Sequence, residues 1–296
     1  MPQLGARWIG AALAGFAGLA QTACSNGILV GDAKSQPESL TLAPGGILIV
    51  GSASSPFIYK VRPGSRRAEV FIDASSEGSG TYFLGMLADA ATNTLWACEI
   101  IEKPGTTPAN TLSVLRSFDL TTGSAKLRWQ LPGESNLCND FSIAPDKALY
   151  ISDTVNGRIY RLPADNINGE LFVEDPALNG IDGITFLNGT LYVNNLFANK
   201  LYRIPIDNAG KAGQPVNIWL DRPIKRPDGM RASNGRLLLA ESGSGQISVV
   251  SVNGDMARVT TIKQGLVAPT GVEPAGTTIW IAERGTGRVR SIPMPK

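Results

Sequence analysis

The sequence predicts an all-β protein, a six-bladed β-propeller closed by an N-terminal strand in the last blade. Three observations support this prediction. One short pattern recurs six times along the 296 residues, at intervals of 42 to 54 residues. Glycine is abundant and charged residues are only 18%, as expected for many short strands joined by turns. A four-stranded repeat cannot bury both faces alone, so radial stacking of the repeats is the expected solution.

Each repeat begins with a variable residue, which is followed about ten residues later by an apolar run. In the third repeat we predict strands at residues 140–144, 149–152, 158–162 and 170–174. Later repeats place Asn-Gly pairs at 188–189 and 234–235, between the first and second strands. Asn-Gly is a strong hairpin signal because both central residues need positive φ. We predict the other outer strands at 69–72, 127–130, 217–220 and 258–261.

The sixth repeat lacks an outer strand, because the chain ends at residues 288–294, its third strand. A suitable run, Gly-Ile-Leu-Val, lies at residues 27–30. We predict that it pairs beside residues 288–292, which would close the ring and remove exposed strand edges.

The N-terminal segment predicts export. Arg7 precedes an apolar run, residues 8–20, that is too short for a comfortable membrane span. We assign residues 1–23 to a signal peptide and residues 24–296 to a single propeller domain, and we expect a periplasmic or secreted protein. A lipid anchor at Cys24 is the alternative, although Gln21 stands where lipoprotein signals usually have leucine.

Two further features of the second repeat leave alternatives open. Cys98 and Cys138 could form a disulfide in an oxidising compartment, but we expect buried thiols. The connection between Glu99 and Ser113 is long and rich in Pro and Thr, and it could be a lid, a substrate wall or a passive surface loop.

The composition excludes several kinds of site. The chain has no histidine, which excludes a Ser-His-Asp triad, a Cys-His dyad and a His-ligated zinc site. The net charge is only +2, and no basic stripe is interleaved with aromatic residues. We therefore expect no nucleic-acid partner.

The variable first positions suggest a metal site. In a propeller these positions crowd around the central channel, and here they are Glu38, Gly85, Asn139, Asp182, Asp228 and Thr270. Four of them, Glu38, Asn139, Asp182 and Asp228, carry oxygen ligands of the kind that Ca²⁺ prefers. Zinc or copper would favour nitrogen or sulfur. The alternative is that Asp182-Gly183 and Asp228-Gly229 are turn dipeptides and that Asn139-Asp140 caps a strand start.

A second ring of mostly acidic residues follows the second strands. These side chains could contact a substrate through the adjacent loops, or they could cap the adjacent turns. The candidate substrate-binding residues are Glu99, Asp153, Asn195, Glu241 and Glu283.

Three segments resemble the senescence marker protein/gluconolactonase/luciferin-regenerating family. They are Pro-Glu-Ser-Leu at 37–40, Leu-Cys-Asn-Asp at 137–140 and Arg-Pro-Asp-Gly-Met at 226–230. The family includes regucalcin, sugar lactonases and diisopropylfluorophosphatase, which are six-bladed propellers with a metal in the central channel. The resemblance spans residues 27–296.

The resemblance implies that the family's Glu, Asn, Asn and Asp metal ligands correspond to Glu38, Asn139, Asp182 and Asp228. Asp182 is a departure, because Asn is usual at that position. Leu137 is another, because sugar lactonases often have Arg two residues before the equivalent of Asn139. Lactonase activity in general is therefore better supported by the resemblance than activity on a polyhydroxylated sugar lactone.

The resemblance therefore implies a calcium-dependent hydrolase that opens a lactone or a related ester. Asp228 is the candidate catalytic carboxylate, since a chain without histidine needs a carboxylate or metal-bound water as base. We expect a monomer with a small-molecule substrate. The alternatives are a non-catalytic exported binding propeller with a structural calcium and a strictosidine-synthase-like condensing enzyme. The four-ligand set argues against the latter.

Overall fold

The structure is a computed structural model that describes residues 27–295, except residues 33, 79, 103–110, 134 and 166–167. The predicted signal peptide, Cys24 and most of the long connection in the second repeat lie outside the described residues. Regular structure in the described part consists of β-strands and short 3₁₀ segments. The 3₁₀ segments are Pro44–Gly46, Ser75–Glu77, Pro176–Leu178 and Arg284–Thr286.

The strands follow the order of the sequence repeats. The first twelve are β1 (Ile28–Leu29), β2 (Pro37–Ala43), β3 (Ile47–Ser52), β4 (Phe57–Val61), β5 (Glu69–Asp73), β6 (Gly80–Asp89), β7 (Thr94–Glu102), β8 (Leu112–Asp119), β9 (Ala125–Gln130), β10 (Cys138–Ile143), β11 (Leu149–Asp153) and β12 (Arg158–Leu162). The others are β13 (Glu170–Glu174), β14 (Ile181–Leu187), β15 (Thr190–Asn195), β16 (Lys200–Ile204), β17 (Val216–Leu220), β18 (Pro227–Ser233), β19 (Arg236–Glu241), β20 (Gln246–Asn253), β21 (Met256–Lys263), β22 (Pro269–Ala275), β23 (Thr278–Glu283) and β24 (Arg288–Pro293).

The architecture is an all-β propeller, as predicted. Four sheets have four strands each, in the orders β2-β3-β4-β5, β6-β7-β8-β9, β10-β11-β12-β13 and β1-β24-β23-β22. Where the sequence predicts two further separate blades, the structure has one eight-stranded sheet, β14-β15-β16-β17-β21-β20-β19-β18. Its halves join through two parallel pairs, Trp219 with Met256 and Leu220 with Ala257.

The inner strands form a closed ring. Each of β2, β6, β10, β14, β18 and β22 contacts the next in this order, and β22 contacts β2. The N-terminal strand also lies where the sequence predicts it, because β1 pairs antiparallel with β24 in the last sheet. Ile28 lies opposite Val289 and Leu29 opposite Arg288. The N-terminal and C-terminal strands therefore complete one sheet together.

The hairpin predictions are confirmed by the backbone. Asn188 and Gly189 have φ of 51° and 79°, and Asn234 and Gly235 have φ of 50° and 71°. Both residues of each pair therefore adopt the positive φ of a type I′ turn. These turns fix the register between the inner and second strands of their repeats.

The hydrophobic core lies between adjacent sheets. One cluster joins the first two repeats and contains the buried side chains of Ile49, Ile58, Phe83 and Met86. Comparable clusters occupy the other interfaces between neighbouring repeats. Apolar burial between sheets therefore fixes the inner strands, and with them the residues at the channel.

The prediction of free thiols at Cys98 and Cys138 is wrong. The two cysteines form a disulfide, with their Cα atoms 5.4 Å apart, and both side chains are fully buried. Cys98 is in β7 and Cys138 in β10, so the bond links two adjacent sheets. The close packing of these sheets brings together cysteines that are 40 residues apart in sequence.

Candidate functional site

Every inner strand contains a β-bulge near its start, where its register with the second strand shifts. In β10 the paired residues step from Cys138 to Phe141, which leaves Asn139 and Asp140 in the bulge. A bulge bends the strand and re-aims side chains. The predicted ligands lie at equivalent bulge positions: Glu38, Asn139, Asp182 and Asp228.

The glycines that follow two of these ligands are needed for close packing of the inner strands. A Cβ on Gly183 would lie 2.7 Å from the carbonyl oxygen of Asp228, and one on Gly229 would lie 2.5 Å from that of Thr270. Both glycines lie inside strands β14 and β18. The alternative interpretation of Asp182-Gly183 and Asp228-Gly229 as turn dipeptides is therefore wrong.

The second repeat requires a correction. The register of β6 with β7 places Leu84 and Gly85 in the bulge, so Leu84 corresponds to Glu38 and Gly85 corresponds to Ser39. The sequence had suggested Gly85 as the first position. Leu84 lines the candidate site and is almost fully buried, so an apolar side chain occupies this place in the ring.

A cavity of about 730 Å³ opens at the end of the ring where the bulges lie, and all four predicted ligands line it. The side-chain amide of Asn139 donates a hydrogen bond to Asp182 Oδ2 at 3.0 Å and another to Thr154 Oγ1 at 2.9 Å. Asp228 Oδ1 accepts a hydrogen bond from the Gly229 backbone at 3.1 Å. The structure thus brings the four residues to one cavity, where each is no more than 8% exposed.

The three carboxylates destabilise one another's charged forms. Burial raises the pKa of Glu38 to about 7, an effect that Arg284 opposes and Asp140 reinforces. Burial also raises the pKa of Asp182 well above its usual value, and the charges of Glu38 and Asp140 add to the shift. Burial, with Asp182 and Glu38, raises the pKa of Asp228 in the same way. The excess negative charge in the cavity is therefore only partly compensated by protein groups.

This donor set suits a hard cation such as Ca²⁺, because it combines three carboxylates with an amide and lacks nitrogen or sulfur ligands. A cation would also relieve the repulsion that raises the three pKa values. Among the described residues, no group of three or more His, Cys, Asp or Glu side chains has the arrangement of a formed metal site. The residues fit calcium by donor chemistry and electrostatics, without a closed coordination geometry.

A buried ion-pair network crosses the channel beyond the cavity. Arg231 of β18 binds both carboxylate oxygens of Asp140 in β10, at 2.7 Å and 3.1 Å. Its Nε lies 3.5 Å from Glu273 Oε2 in β22, and Arg231 also donates to the carbonyl oxygen of Met86 at 3.1 Å. Burial raises the pKa of Glu273 to about 7, although the charge of Arg231 opposes this. Arg231 therefore ties together inner strands of four different repeats through residues next to the site.

The five candidate substrate-binding residues of the second ring do not line the cavity. Each is at most 1% exposed: Glu99, Asp153, Asn195, Glu241 and Glu283. Glu99 pairs with Arg116 at 2.8 Å, and Asn195 Oδ1 accepts hydrogen bonds from the backbone of Phe197 and Ala198. These contacts are internal to the fold.

Three acidic members of this ring hold the segments that lead into the inner strands. Asp153 Oδ1 accepts a hydrogen bond from the Leu137 backbone at 2.9 Å. Glu241 Oε2 accepts one from the Lys225 backbone at 3.1 Å, and Glu283 makes the same kind of bond. The turn-capping interpretation therefore describes their contacts. Their effect on the site is to position the bulges.

Several cavity residues were not singled out from the sequence. Arg284 lines the cavity and directs two N–H groups at Gln36 Oε1, at 2.8 Å and 2.9 Å. Tyr82 also lines it, and burial together with the charge of Glu102 raises its pKa to about 12. Arg284 follows the ring residue Glu283 directly, so the repeat alignment could have identified it. Tyr82 lies in a part of β6 that has no counterpart in the other repeats.

Comparisons with known proteins connect the chain to other propellers by structure alone. No family model matches the sequence, and no curated protein has a significantly similar sequence. None of the helices in the described part of the chain is long and apolar enough to cross a membrane.

Similar solved structures include a gluconolactonase from Xanthomonas campestris, with a TM-score of 0.68 and 18% identity over 89% of this chain and 87% of that one. A structural-genomics target described as a proposed gluconolactonase has a TM-score of 0.68 and 16% identity, over 91% and 92% of the two chains. Virginiamycin B lyase from Staphylococcus aureus has a TM-score of 0.64 and 14% identity, over 91% and 98%. The predicted likeness to gluconolactonase-type propellers is thus confirmed at the level of the fold.

Proposed function

We propose that the protein is a calcium-dependent hydrolase that opens a lactone or related ester in the cavity at one end of the ring. One observation carries the proposal: Glu38, Asn139, Asp182 and Asp228 occupy equivalent bulges of four inner strands and line a single cavity. The fold shared with gluconolactonase structures supports the same class of chemistry.

We also propose that the molecule is a six-bladed propeller, in which the eight-stranded sheet represents two blades. The ring of six inner strands supports this count. Only two pairs of the β-ladder join the halves into one sheet, and they lie on outer strands. The joint therefore leaves the geometry at the channel unaffected.

In the proposed enzyme, Glu38, Asn139, Asp182 and Asp228 would hold the calcium ion, which would polarise the substrate carbonyl. Asp228 is the proposed general base. It accepts a proton from water as the water oxygen bonds to the carbonyl carbon. The bond between the carbonyl carbon and the ring oxygen then breaks, and the departing oxygen takes the proton back from Asp228, which returns to the carboxylate form. Asp228 suits this role by position: it is almost fully buried, it lines the cavity, and its Oδ1 accepts a hydrogen bond from the Gly229 N–H.

The absence of histidine distinguishes this proposal from the lyase seen among the structural neighbours. A virginiamycin B lyase in which one histidine is replaced by alanine is described as catalytically inactive. The present chain contains no histidine at all. Chemistry based on carboxylates is therefore favoured over chemistry that depends on a histidine.

We further propose that the protein is exported and acts as a monomer in the periplasm or outside the cell. The disulfide between Cys98 and Cys138 supports export, because such bonds persist in oxidising compartments. The apolar run after Arg7 is consistent with a signal peptide at residues 1–23, with a lipid anchor at Cys24 as the alternative.

The catalytic proposal is tested with Asp228→Asn, which keeps the shape and one oxygen ligand but removes the basic carboxylate. We expect turnover of a lactone panel to fall by about 10²- to 10⁴-fold, with calcium binding reduced far less. Asp165→Asn is the control, since Asp165 is exposed and outside the cavity.

Two results would overturn this assignment. If the Asp228→Asn variant hydrolyses the lactones at the wild-type rate, Asp228 is not the general base. Failure of the calcium-loaded wild type to hydrolyse any lactone, ester or phosphotriester would favour a non-catalytic binding propeller with a structural calcium.

A further inference from the structure

We infer that the preferred substrate carries an apolar arm, an alkyl or aryl substituent, which binds along one wall of the cavity mouth. This inference rests on the proposed lactone or ester chemistry and adds the substrate class to it. The wall is formed by Leu137, Leu196 and Phe197, and it extends to Leu84 at the level of the ring.

Backbone hydrogen bonds make this wall continuous. Thr154 donates its N–H to the Leu137 carbonyl at 3.0 Å, and Gly180 donates to the Thr154 carbonyl at 2.7 Å. Leu196 then donates to the Gly180 carbonyl at 2.8 Å. Loops of the third and fourth repeats are thereby held side by side, with Phe197 next in the chain after Leu196.

The outer part of the wall is unusually apolar for a surface. Phe197 lines the cavity yet is 65% exposed, and Val155, which follows the cavity residue Thr154 in the chain, is 50% exposed. An exposed aromatic ring that continues into a cavity is typical of a ligand-binding surface. The charged residues at the mouth come from other repeats: Glu102 from the second, Arg226 from the fifth and Arg284 from the sixth.

The wall offers little to a polyhydroxylated arm. Leu84, Leu137, Leu196 and Phe197 have no polar side-chain atoms, and Thr154, whose hydroxyl accepts a hydrogen bond from Asn139, is only 3% exposed. Hydroxyl groups placed against this wall would lose hydrogen bonds to water without replacement. Burial of an alkyl arm against the wall would lower the KM by roughly fourfold for each methylene group that the wall covers.

The test is a substrate series with one ring and different arms: unsubstituted γ-butyrolactone, its butyl, hexyl and octyl derivatives, and gluconolactone in its five-membered 1,4-form. We expect KM to fall with arm length and gluconolactone to be the poorer substrate. Phe197→Ser should raise KM for the hexyl and octyl compounds by about 10-fold or more and leave γ-butyrolactone unchanged. Trp219→Ser is the matched control, because Trp219 is 66% exposed on outer strand β17, away from the cavity.

Binding of the corresponding alkyl lactams, measured by calorimetry, separates this inference from the catalytic proposal. Tighter binding with longer arms, lost in Phe197→Ser and kept in Trp219→Ser, supports the apolar wall even if no lactone is hydrolysed. Hydrolysis without dependence on arm length, or a preference for gluconolactone, overturns the inference and leaves the lactonase proposal standing. Lactam affinities that are equal across the series also overturn it.

Discussion

At the residue scale, the candidate site depends on a few side chains placed in β-bulges. The repeats within the sequence grouped Glu38, Asn139, Asp182 and Asp228 as one set, because each lies near the start of an inner strand, and all four line one cavity. In the second repeat the sequence pattern chose Gly85 as the first position, whereas the structure places Leu84 there. A bulge leaves two residues opposite one, and the sequence pattern does not show which of the two corresponds to Glu38.

Arg231 is expected to be critical for stability. Arg231→Met would leave Asp140 and Glu273 buried without their counter-charge. We expect the free energy of unfolding to fall by about 3–5 kcal/mol, as in other buried ion pairs that lose one partner. Urea unfolding would measure the loss.

Arg258→Met is the control for that substitution, since Arg258 is exposed on outer strand β21. It should change the unfolding midpoint little. Equal stability of the two variants would show that the channel network around Arg231 contributes nothing to the fold.

At the scale of elements, the repeat pattern predicted the strands well because alternating apolar residues and Asn-Gly turns are local signals. The closing strand could also be predicted, since the sixth repeat visibly lacked its outer strand. For the disulfide, and for Asp153 and Glu241, the sequence left two alternatives open, because the choice depends on how the sheets and loops pack. The parallel joint between β17 and β21 has no local signal either.

Removal of the closing strand should destabilise the protein severely. Deletion of residues 1–23 leaves β1 in place, and we expect normal folding. Deletion through Asp32 removes β1 and the fully buried Val30, and it exposes the edge of β24. Thermal unfolding and size-exclusion chromatography of both truncations would measure the effect. A fully stable, monomeric protein lacking residues 1–32 would contradict the closure role of β1.

At the scale of the whole molecule, the ring concentrates negative charge at one end of its channel, and stability should depend on pH. The pKa of Glu38 is about 7 in the folded protein, compared with about 4.3 in an unfolded chain. The folded state therefore holds this proton more tightly. Protonation of Glu38 therefore contributes fully to the stability of the folded state below about pH 4, and this contribution is lost as the pH rises towards about 7. Asp182 and Asp228 act in the same direction.

We accordingly expect the Tm of chelator-treated protein to fall between about pH 5 and pH 8. Added calcium should reduce the fall, because a bound cation compensates the ionised carboxylates. Part of the slope should remain with calcium, since the pKa of Glu273 is also about 7 and Glu273 belongs to the Arg231 network. A Tm that rises over this range without calcium would contradict the charge distribution described here.

The most direct test of the central claim, that the four bulge residues form a calcium site, is a calcium titration followed by thermal unfolding. A ligand at about 100 times its Kd stabilises the folded state by about 2.7 kcal/mol, which corresponds to a Tm increase of roughly 5–10 °C for a chain of this size. Wild type and the control Asp165→Asn should show this increase, and Asp182→Ala should lose most of it. A wild-type Tm that does not change with calcium would contradict the claim.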